Sequence, residues 1–351
     1  MRVHQLLSGA GPVDAVTNQA RAYRALFGRW GWGGGDHAVY LDPRVDGFSP
    51  LRELDPGRDD VLLFHYSAYA PRLAAQLDRP QRKLLVSHNI TPARWFWDAS
   101  APIAVQCAVG REQLPRFARA ADLAVGVSAY NAAELRDAGA AETAVVPILF
   151  DPSRFGERPG SSPMGASAGR PVLMVGRIAP HKRHDLLIRA FALYRRERAP
   201  DATLTIVGEP MTAGYGDAVR GLAERVAPGA VTFEAGLSEA ELAARWAAAS
   251  VFVCLSEHEG FCIPLLEAFH FGVPVVARAI GGMAEVAGDA ALLIEGEEVD
   301  PALAAELIHL AVTDAGLREE LVRRGRARLS EYAYEATAAK LRAAVERVTA
   351  P

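Results

Sequence analysis

The sequence is poor in cysteine and has no long apolar run, and each shortage excludes a class of protein. The three cysteines, Cys107, Cys254 and Cys262, are too few and too scattered for a disulfide framework, and no two of them form a CxxC pair. No stretch approaches the roughly 18 consecutive apolar residues of a membrane-spanning helix. Residues 1–8 are too short and too polar a stretch for a signal peptide. We therefore expect a reduced, cytoplasmic protein.

Charge of one sign is also lacking. The formal net charge is −4, with 38 Lys and Arg against 42 Asp and Glu, so no global basic field indicates a nucleic-acid partner. Only three of the 38 basic residues are lysines, namely Lys83, Lys182 and Lys340. Because a lysine ammonium is a compact point charge and a guanidinium a planar fork, a lysine in a functional loop of this chain suggests that a compact charge is needed there.

Several short catalytic motifs are missing as well. The sequence has no DxD pair, no HExxH and no cysteine and histidine cluster with zinc spacing. It also has no GxxxxGKS/T phosphate loop. We therefore expect that any glycosyl or phosphoryl chemistry proceeds without a metal ion held by carboxylates.

What the chain does contain is an alternation of short apolar runs with helical patterns, which is typical of βαβ units in parallel sheets. Strands are predicted at residues 3–7, 38–41, 61–65, 84–87, 123–127, 143–146, 172–175, 203–207, 231–233, 251–255, 273–277 and 291–294. Helices are predicted at residues 15–30, 129–138, 183–198, 217–226, 239–248, 264–271, 301–312, 317–329 and 334–348.

One segment interrupts this alternation. Residues 151–170 are rich in proline, glycine and serine and have no period, which predicts a linker. The linker separates a domain at 1–150 from a second one at 171–332, and residues 333–351 form a final helical segment. Both domains are predicted to be doubly wound α/β units, with ligands in a cleft at the carboxyl ends of the strands.

The loop after the strand at 172–175 carries two cations. Arg177 and Lys182 flank a turn that opens a helix, and helix N-termini and basic side chains both suit phosphate oxygens. The alternative is a solvated loop with ordinary surface charges.

The loop after the strand at 251–255 is more informative. Gly260 permits a close backbone approach, and Pro264 suits the first position of a helix whose free N–H groups attract an anion. Glu259 and Glu267 lie near the same helix end and are suited to accept hydrogen bonds from hydroxyls. The predicted ligand therefore combines a sugar with phosphate. The alternative is that Glu259 caps the helix and Glu267 is exposed.

In the first half, His88 follows the strand at 84–87 and is expected to face the cleft, with Thr91 as the N-cap of a following helix. A structural histidine is the alternative for His88, and more so for His65, which ends the preceding strand. The first loop, containing Gly9 and Gly11, lacks the third glycine of a dinucleotide fingerprint but could bring backbone N–H groups near a ligand. Residues 95–98 are aromatic-rich and predict buried core with one exposed ring, or else an acceptor pocket or a membrane contact.

These residues carry a resemblance. Residues 259–267, EGFCIPLLE, form an E-x7-E pattern, and GRIAPHK precedes them at 176–182. With these segments the chain resembles the retaining family-4 glycosyltransferases of the GT-B fold. Supporting segments are LLVSHNITP at 84–92, VGVSAYNAAEL at 125–135, VVPILFDPSRF at 145–155, TIVGE at 205–209, VTFEAGLSEAEL at 231–242 and GVPVVA at 272–277.

The resemblance implies a role for each matching residue. Arg177 and Lys182 would hold the donor diphosphate, Glu267 the ribose hydroxyls and Glu259 the hydroxyls of the donor sugar. His88 would contact the donor sugar near the reacting carbon, and the last helix would cross back onto the first domain. Backbone groups in two loops would also approach the donor, at Gly11, Gly260, Phe261, Cys262 and Ile263. The chain departs from the family pattern at Cys262, where a glycine is usual, and in the first loop, which has fewer glycines.

The implied activity is transfer of a hexosyl group from a nucleotide-diphosphate sugar to a hydroxyl acceptor, with retention and without a metal ion or other cofactor. The donor base is left open between UDP and GDP. The acceptor is left open among saccharides, lipid-linked saccharides and natural products. A nucleotide-sugar epimerase of the same fold and a non-catalytic nucleotide-sugar binding protein are the alternatives. Arg111, Arg116 and Arg119 indicate either a solvated charged face or a peripheral contact with the inner membrane face.

Overall fold

The chain forms two compact units. The computed structural model describes residues 1–12, 14–156 and 170–349. The first unit contains Met1–Trp97, Ala101–Leu149 and Tyr334–Pro351, and the second contains Asp98–Ser100 and Phe150–Ala333. Within the predicted linker at 151–170, residues 157–169 lie outside the described residues.

The described part of the first unit is built on a parallel sheet with the strand order β3-β2-β1-β4-β5-β6-β7. The strands are β1 (Val3–Ala10), β2 (Asp36–Leu41), β3 (Ser49–Pro50), β4 (Val61–Tyr66), β5 (Arg82–Ser87), β6 (Leu123–Gly126) and β7 (Thr143–Val145). All of β4 is buried, as expected for a strand that is covered on both faces by helices.

Five α-helices in the described residues cover this sheet. They are α1 (Ala15–Arg29), α2 (Pro71–Ala74), α3 (Ala101–Ala120), α4 (Ala129–Asp137) and the last helix of the chain, α12 (Tyr334–Thr349). The start of α1 is fixed by Asp14, whose carboxylate accepts from the Thr17 N–H at 2.8 Å. Helix α12 packs against β4, β5 and β6, which confirms the predicted return of the final helix to the first domain.

The described part of the second unit contains a parallel sheet with the order β10-β9-β8-β11-β12-β13. Its strands are β8 (Val172–Val175), β9 (Leu204–Val207), β10 (Val231–Glu234), β11 (Val251–Cys254), β12 (Val275–Arg278) and β13 (Leu292–Ile294). Its helices are α5 (His184–Glu197), α6 (Ala213–Val226), α7 (Glu239–Ala248), α8 (Ile263–Phe271), α9 (Gly281–Ala287), α10 (Pro301–Thr313) and α11 (Ala315–Glu331). A buried cluster that includes Phe191, Tyr194 and Ile206 packs against this sheet.

The predicted α/β class with two parallel sheets is confirmed, and each predicted strand has a counterpart in the structure. Strand β3 and helices α2, α3 and α9 were not predicted. The helix predicted to start at Thr91 is wrong: only a short 3-10 turn forms at Ala93–Trp95, because Pro92 before it is extended, with ψ 140°. Phe96 is buried and Trp97 is 52% exposed, as the prediction of a buried core with one exposed ring requires.

Within the described residues, no helix combines the length and the apolar character that crossing a bilayer demands.

Candidate functional site

Three loops of the second unit meet at the carboxyl edge of its sheet. They follow β8, β11 and β12, which are adjacent parallel strands, so their carboxyl ends share one edge. Backbone hydrogen bonds tie the loops together: the Glu257 N–H donates to the His181 carbonyl at 2.8 Å, and the Gly282 N–H donates to the Glu259 carbonyl at 2.9 Å. The two sequence segments that carry the resemblance are therefore brought together here.

A buried ion pair lies at the centre of this edge. The Lys182 ammonium donates to the Glu259 carboxylate, and the two side chains are only 17% and 10% exposed. Burial by itself raises the pKa of Glu259, but the Lys182 charge outweighs it and holds that pKa below its usual range. Glu259 is thus an ionised carboxylate, and the pair offers one fixed cation and one acceptor to a ligand.

Arg177 differs from Lys182 in having its charge available. It follows Gly176, whose φ of 152° turns the chain after β8, and its side chain is exposed. Among the described residues Arg177 has no hydrogen-bond or ion-pair partner. A guanidinium without a partner, in the same loop as a buried ammonium, suits an anionic group with several oxygens.

The helix start next to this loop has no side-chain cap. The residue before α8 is Cys262, with φ 74°, and no side chain accepts from the first turn of the helix. The alternative in which Glu259 caps this helix is therefore wrong. The left-handed backbone at this position is one that glycine adopts without strain, which fits the glycine that is usual there in the resembled family.

Two buried thiols lie close to the Lys182–Glu259 ion pair. The Sγ atoms of Cys254 and Cys262 are 4.0 Å apart, and one ligand atom each of Cys254, Glu259 and Cys262 lies within 4.8 Å of the others. Such a set can bind a soft metal ion. Because Lys182 already neutralises the Glu259 carboxylate, the three groups do not form an unoccupied cation site, and we assign them no metal.

A second charged network, which sequence reasoning missed, braces the same loops. The Glu257 carboxylate pairs with Arg183 and lies 3.1 Å from the Arg278 guanidinium. Arg278 ends β12 and is almost fully buried, so this network links the loops after β8, β11 and β12. Only the position of Glu257 in the β11 loop could have indicated this network from the sequence, because Arg278 lies outside the segments that carry the resemblance.

Glu267 lies on α8 and is 4% exposed, so the alternative that placed it in solvent is wrong. One carboxylate oxygen accepts from Arg154, and the other accepts from the Trp246 indole N–H at 3.2 Å. Burial raises the pKa of Glu267 above its usual range. A carboxylate has about four lone-pair directions, and the hydrogen bonds from Arg154 and Trp246 use two of them. Arg154 was missed because it lies within the segment predicted as a linker.

In the first unit, His88 follows β5 and is half-buried. Its Nε2 lies 2.8 Å from Nδ1 of His65, and Nε2 of His65 lies 2.8 Å from Oε1 of Gln5. The N–H of Gly11 donates to the Thr17 hydroxyl at 3.1 Å. The backbone group that was predicted to approach the nucleotide sugar therefore already has a hydrogen-bond partner within the protein.

The arginines considered for membrane contact lie on α3. Arg111 donates to the Ile90 carbonyl at 2.8 Å and pairs with Glu134 at 3.0 Å. Arg116 lies 3.6 Å from Asp78. Arg111 and Arg116 therefore have partners within the first unit, and the choice between a solvated face and a membrane contact stays a prediction.

Comparison with known proteins identifies similar sequences over the part of the chain that contains these loops. Residues 167–328, which include the loops after β8 and β11, match the family described as Glycosyl transferases group 1. Over 182 residues the chain is 32% identical to D-inositol 3-phosphate glycosyltransferase of Salinispora arenicola, covering 49% of this chain and 40% of the relative. Over 213 residues it is 34% identical to GDP-mannose-dependent alpha-(1-6)-phosphatidylinositol monomannoside mannosyltransferase of Mycolicibacterium smegmatis, covering 55% and 54%. The chain thus spans about half the length of these relatives.

Solved structures share the fold over the whole chain. Sucrose-phosphate synthase from Thermosynechococcus elongatus has a TM-score of 0.76 at 18% identity, with 99% of both chains covered. Anabaena Alr3699/HepE in complex with UDP-glucose has a TM-score of 0.71 at 17% identity, with 99% and 100% covered. WaaG, a glycosyltransferase involved in lipopolysaccharide biosynthesis, has a TM-score of 0.71 at 15% identity, also with 99% and 100% covered. The chain has the GT-B fold. The match to the group 1 glycosyltransferase family is confined to residues 167–328.

Proposed function

We propose that this protein is a retaining, metal-independent glycosyltransferase of the family-4 type. It moves a hexosyl group from a nucleotide-diphosphate sugar to a hydroxyl of an acceptor. The observation that carries the proposal is the buried Lys182–Glu259 pair in the same region as Arg177, which has no ion-pair partner among the described residues. Helices α5 and α8 begin at this edge of the sheet. That edge offers positive charge for a diphosphate and a carboxylate acceptor for sugar hydroxyls in one place.

The side chains of the two donor loops and His88 have different roles in donor binding. Arg177 and Lys182 bind the diphosphate oxygens, together with the uncapped start of α8. Glu259 accepts hydrogen bonds from the donor sugar, and Glu267 accepts them from the ribose. Backbone contacts to the donor are proposed at Gly11, Gly260, Phe261, Cys262 and Ile263. His88 contacts the donor sugar near its anomeric carbon.

The reaction exchanges one carbon–oxygen bond for another. The bond between the anomeric carbon and the β-phosphate oxygen breaks, and the negative charge collects on the departing diphosphate. The acceptor hydroxyl forms the new bond on the same face, and its proton passes to the leaving phosphate oxygen. Arg177 and Lys182 stabilise the developing charge, and a charged hydrogen bond contributes about 1.5–3 kcal/mol. No nucleophilic side chain is needed, and the two cations take the part of a metal ion.

The named relatives narrow the proposed substrates. Their names include acceptors with an inositol phosphate or a phosphatidylinositol mannoside, and a GDP-mannose donor, while a structural neighbour is described with UDP-glucose. We therefore propose a UDP- or GDP-linked hexose as donor and a polyhydroxylated saccharide, free or lipid-linked, as acceptor. The epimerase and the non-catalytic alternatives are not favoured, because the names of the matched relatives describe transferases.

A transfer assay with excess chelator tests the proposal. We expect product only when acceptor is added, at a rate that the chelator does not change, and an anomeric proton signal of the same configuration as the donor. Isomerisation of the donor without acceptor would instead indicate an epimerase. An inverted product, or activity restored only by a divalent cation, would contradict the retaining or the metal-independent part of the proposal.

A further inference from the structure

A continuous chain of hydrogen bonds crosses four neighbouring strands of the first unit and ends at His88. It runs from Asp36 on β2 through Gln5 on β1 and His65 on β4 to His88, which follows β5. These strands are consecutive in the sheet order β2-β1-β4-β5. Gln5 and His65 are completely buried, so the sheet interior contains a polar relay where apolar side chains are the norm.

One end of this relay has a fixed orientation. The amide nitrogen of Gln5 lies 2.9 Å from the Ala20 carbonyl and 2.8 Å from the Asp36 carboxylate. Arg24, at 2.6 Å, neutralises that carboxylate. Both neighbours of the Gln5 nitrogen accept hydrogen bonds and donate none, so the amide cannot be turned over. The Gln5 oxygen must therefore face His65.

The fixed oxygen determines where the histidine protons lie. Because the Gln5 oxygen only accepts, the proton of His65 lies on Nε2, 2.8 Å away. Burial lowers the pKa of His65 well below its usual value, so the ring is neutral and its Nδ1 carries a free lone pair. That Nδ1 accepts from Nε2–H of His88 at 2.8 Å. The planes of the two rings are inclined to each other by 22°, and the ring centroids are 5.1 Å apart.

The hydrogen bond to His65 also fixes the state of the outer nitrogen of His88. Burial lowers the pKa of His88 to about 4, so its ring is neutral near pH 7. With its proton on Nε2, the Nδ1 atom can only accept a hydrogen bond. His88 therefore differs from Arg177 and Lys182, because it presents an acceptor where they present donors.

We propose that Gln5 and His65 are positioning residues that hold His88 in its Nε2–H tautomer, so that Nδ1 accepts a hydrogen bond from a hydroxyl of the bound sugar. The inference deepens the proposed function and rests on it. It implies selectivity: a hydroxyl can donate to Nδ1, but a hydrogen or fluorine substituent at that position cannot. It also implies that His88 gives no proton to the leaving phosphate.

Nitrogen NMR of the unliganded protein tests the tautomer directly. In protein labelled with 15N-histidine, long-range proton–nitrogen spectra separate Nδ1-protonated from Nε2-protonated rings. We expect Nε2–H for both His65 and His88, and a mixture of tautomers at His88 in His65→Leu. A Nδ1-protonated or charged His88 in the wild-type protein overturns the inference.

Kinetics test whether the tautomer matters for turnover. His65→Leu leaves His88 without its acceptor and should lower kcat/KM about tenfold or more. His65→Asn keeps an amide oxygen near the position of Nδ1 and should restore most of the rate. A matched control is His4→Asn. Like His65, His4 is a buried histidine, but it lies on β1 and its partner, Asp60 at 3.1 Å, lies outside the relay. An equal loss in His4→Asn and His65→Leu would show a purely structural role.

Donor analogues then separate this inference from the proposed function. Against the deoxy donor that lacks the contacting hydroxyl, wild-type protein and His65→Leu should turn over at equal rates. If no deoxy donor removes the difference, the hydroxyl contact is wrong although donor binding stands. If no nucleotide sugar binds at all, the proposed function fails, while the NMR result still decides the tautomer.

Discussion

At the scale of the residue, Lys182 has two roles, and its burial couples them. Its ammonium neutralises the buried Glu259 carboxylate and, in the proposed reaction, also stabilises the leaving diphosphate. A buried charge that loses its partner costs about 3–5 kcal/mol, whereas replacing both partners by neutral groups is often tolerated. A single substitution of Lys182 therefore changes stability and activity together, and a paired substitution can separate the two.

We predict that Lys182→Met lowers both the free energy of unfolding and kcat/KM, the latter about 10- to 100-fold. The double variant Lys182→Met/Glu259→Gln should recover much of the stability, because no uncompensated charge remains, but not the activity. Chemical unfolding and initial-rate kinetics measure the two quantities. Lys340→Met is the control, since Lys340 is exposed on α12 and both properties should stay near wild type. A double variant with wild-type kcat/KM would rule out a phosphate role for Lys182.

Residue types in the donor loops could be predicted from the sequence, but their partners could not. The glutamates, the cations and Gly260 were identified from their positions after strands. Arg154 and Arg278 were not, because a contact between distant segments leaves no local pattern. Cys262 is a further example. The sequence shows a cysteine where the resembled family usually has a glycine, but it does not show that the backbone there is left-handed, with φ 74°.

At the scale of the element, the β8 loop depends on a close backbone approach at the end of β9. A Cβ atom built on Gly208 would lie 2.0 Å from the Gly176 carbonyl oxygen, well inside contact distance. The same two loops are joined by the Gly176 N–H, which donates to the Val207 carbonyl at 2.9 Å. The loop that carries Arg177 and Lys182 is thus positioned by a glycine that lies in neither site motif.

We predict that Gly208→Ala lowers the free energy of unfolding by about 1–3 kcal/mol through overpacking and also weakens donor binding, because the loop must shift. Gly214→Ala is the matched control, since a Cβ there meets nothing within 4 Å and the residue lies in α6. Unfolding curves and donor titrations of both variants check the prediction. Equal behaviour of the two variants would contradict it.

The pattern of elements was largely predictable, and the omissions have physical causes. Alternating apolar runs predicted the strands because parallel strands are buried on both faces. Helix α3 was missed because it contains Gly110 and Pro115, which usually indicate a helix end. Strand β3 spans only Ser49–Pro50, too short for any period to be visible.

At the scale of the whole molecule, both units contain histidines kept neutral by burial. Burial lowers the pKa of His88 in the first unit and of His184 in the second to about 4. An unfolded histidine binds its proton near pH 6.5. Between these values the unfolded chain binds more protons than the folded one, so the free energy of unfolding falls as the pH falls.

We predict that acidification from about pH 7 to about pH 5 lowers the free energy of unfolding by about 1–2 kcal/mol for a fully buried histidine such as His184. His184→Leu should reduce this slope, because the substitution removes one titrating group. Chemical unfolding of both proteins across this pH range, without ligand, measures the difference. Parallel pH profiles for the variant and the wild type would contradict the assignment of a neutral, buried His184.

The central claim is that the second unit binds a nucleotide-diphosphate sugar through Arg177 and Lys182. Thermal unfolding against UDP, GDP, ADP, TDP and their common sugars, with chelator present, tests it most directly. We predict that one nucleotide stabilises the protein, by about 2.7 kcal/mol at a hundredfold excess over its Kd, and that Arg177→Ala loses most of this gain. No stabilisation by any of them, or equal stabilisation of Arg177→Ala, would contradict the account.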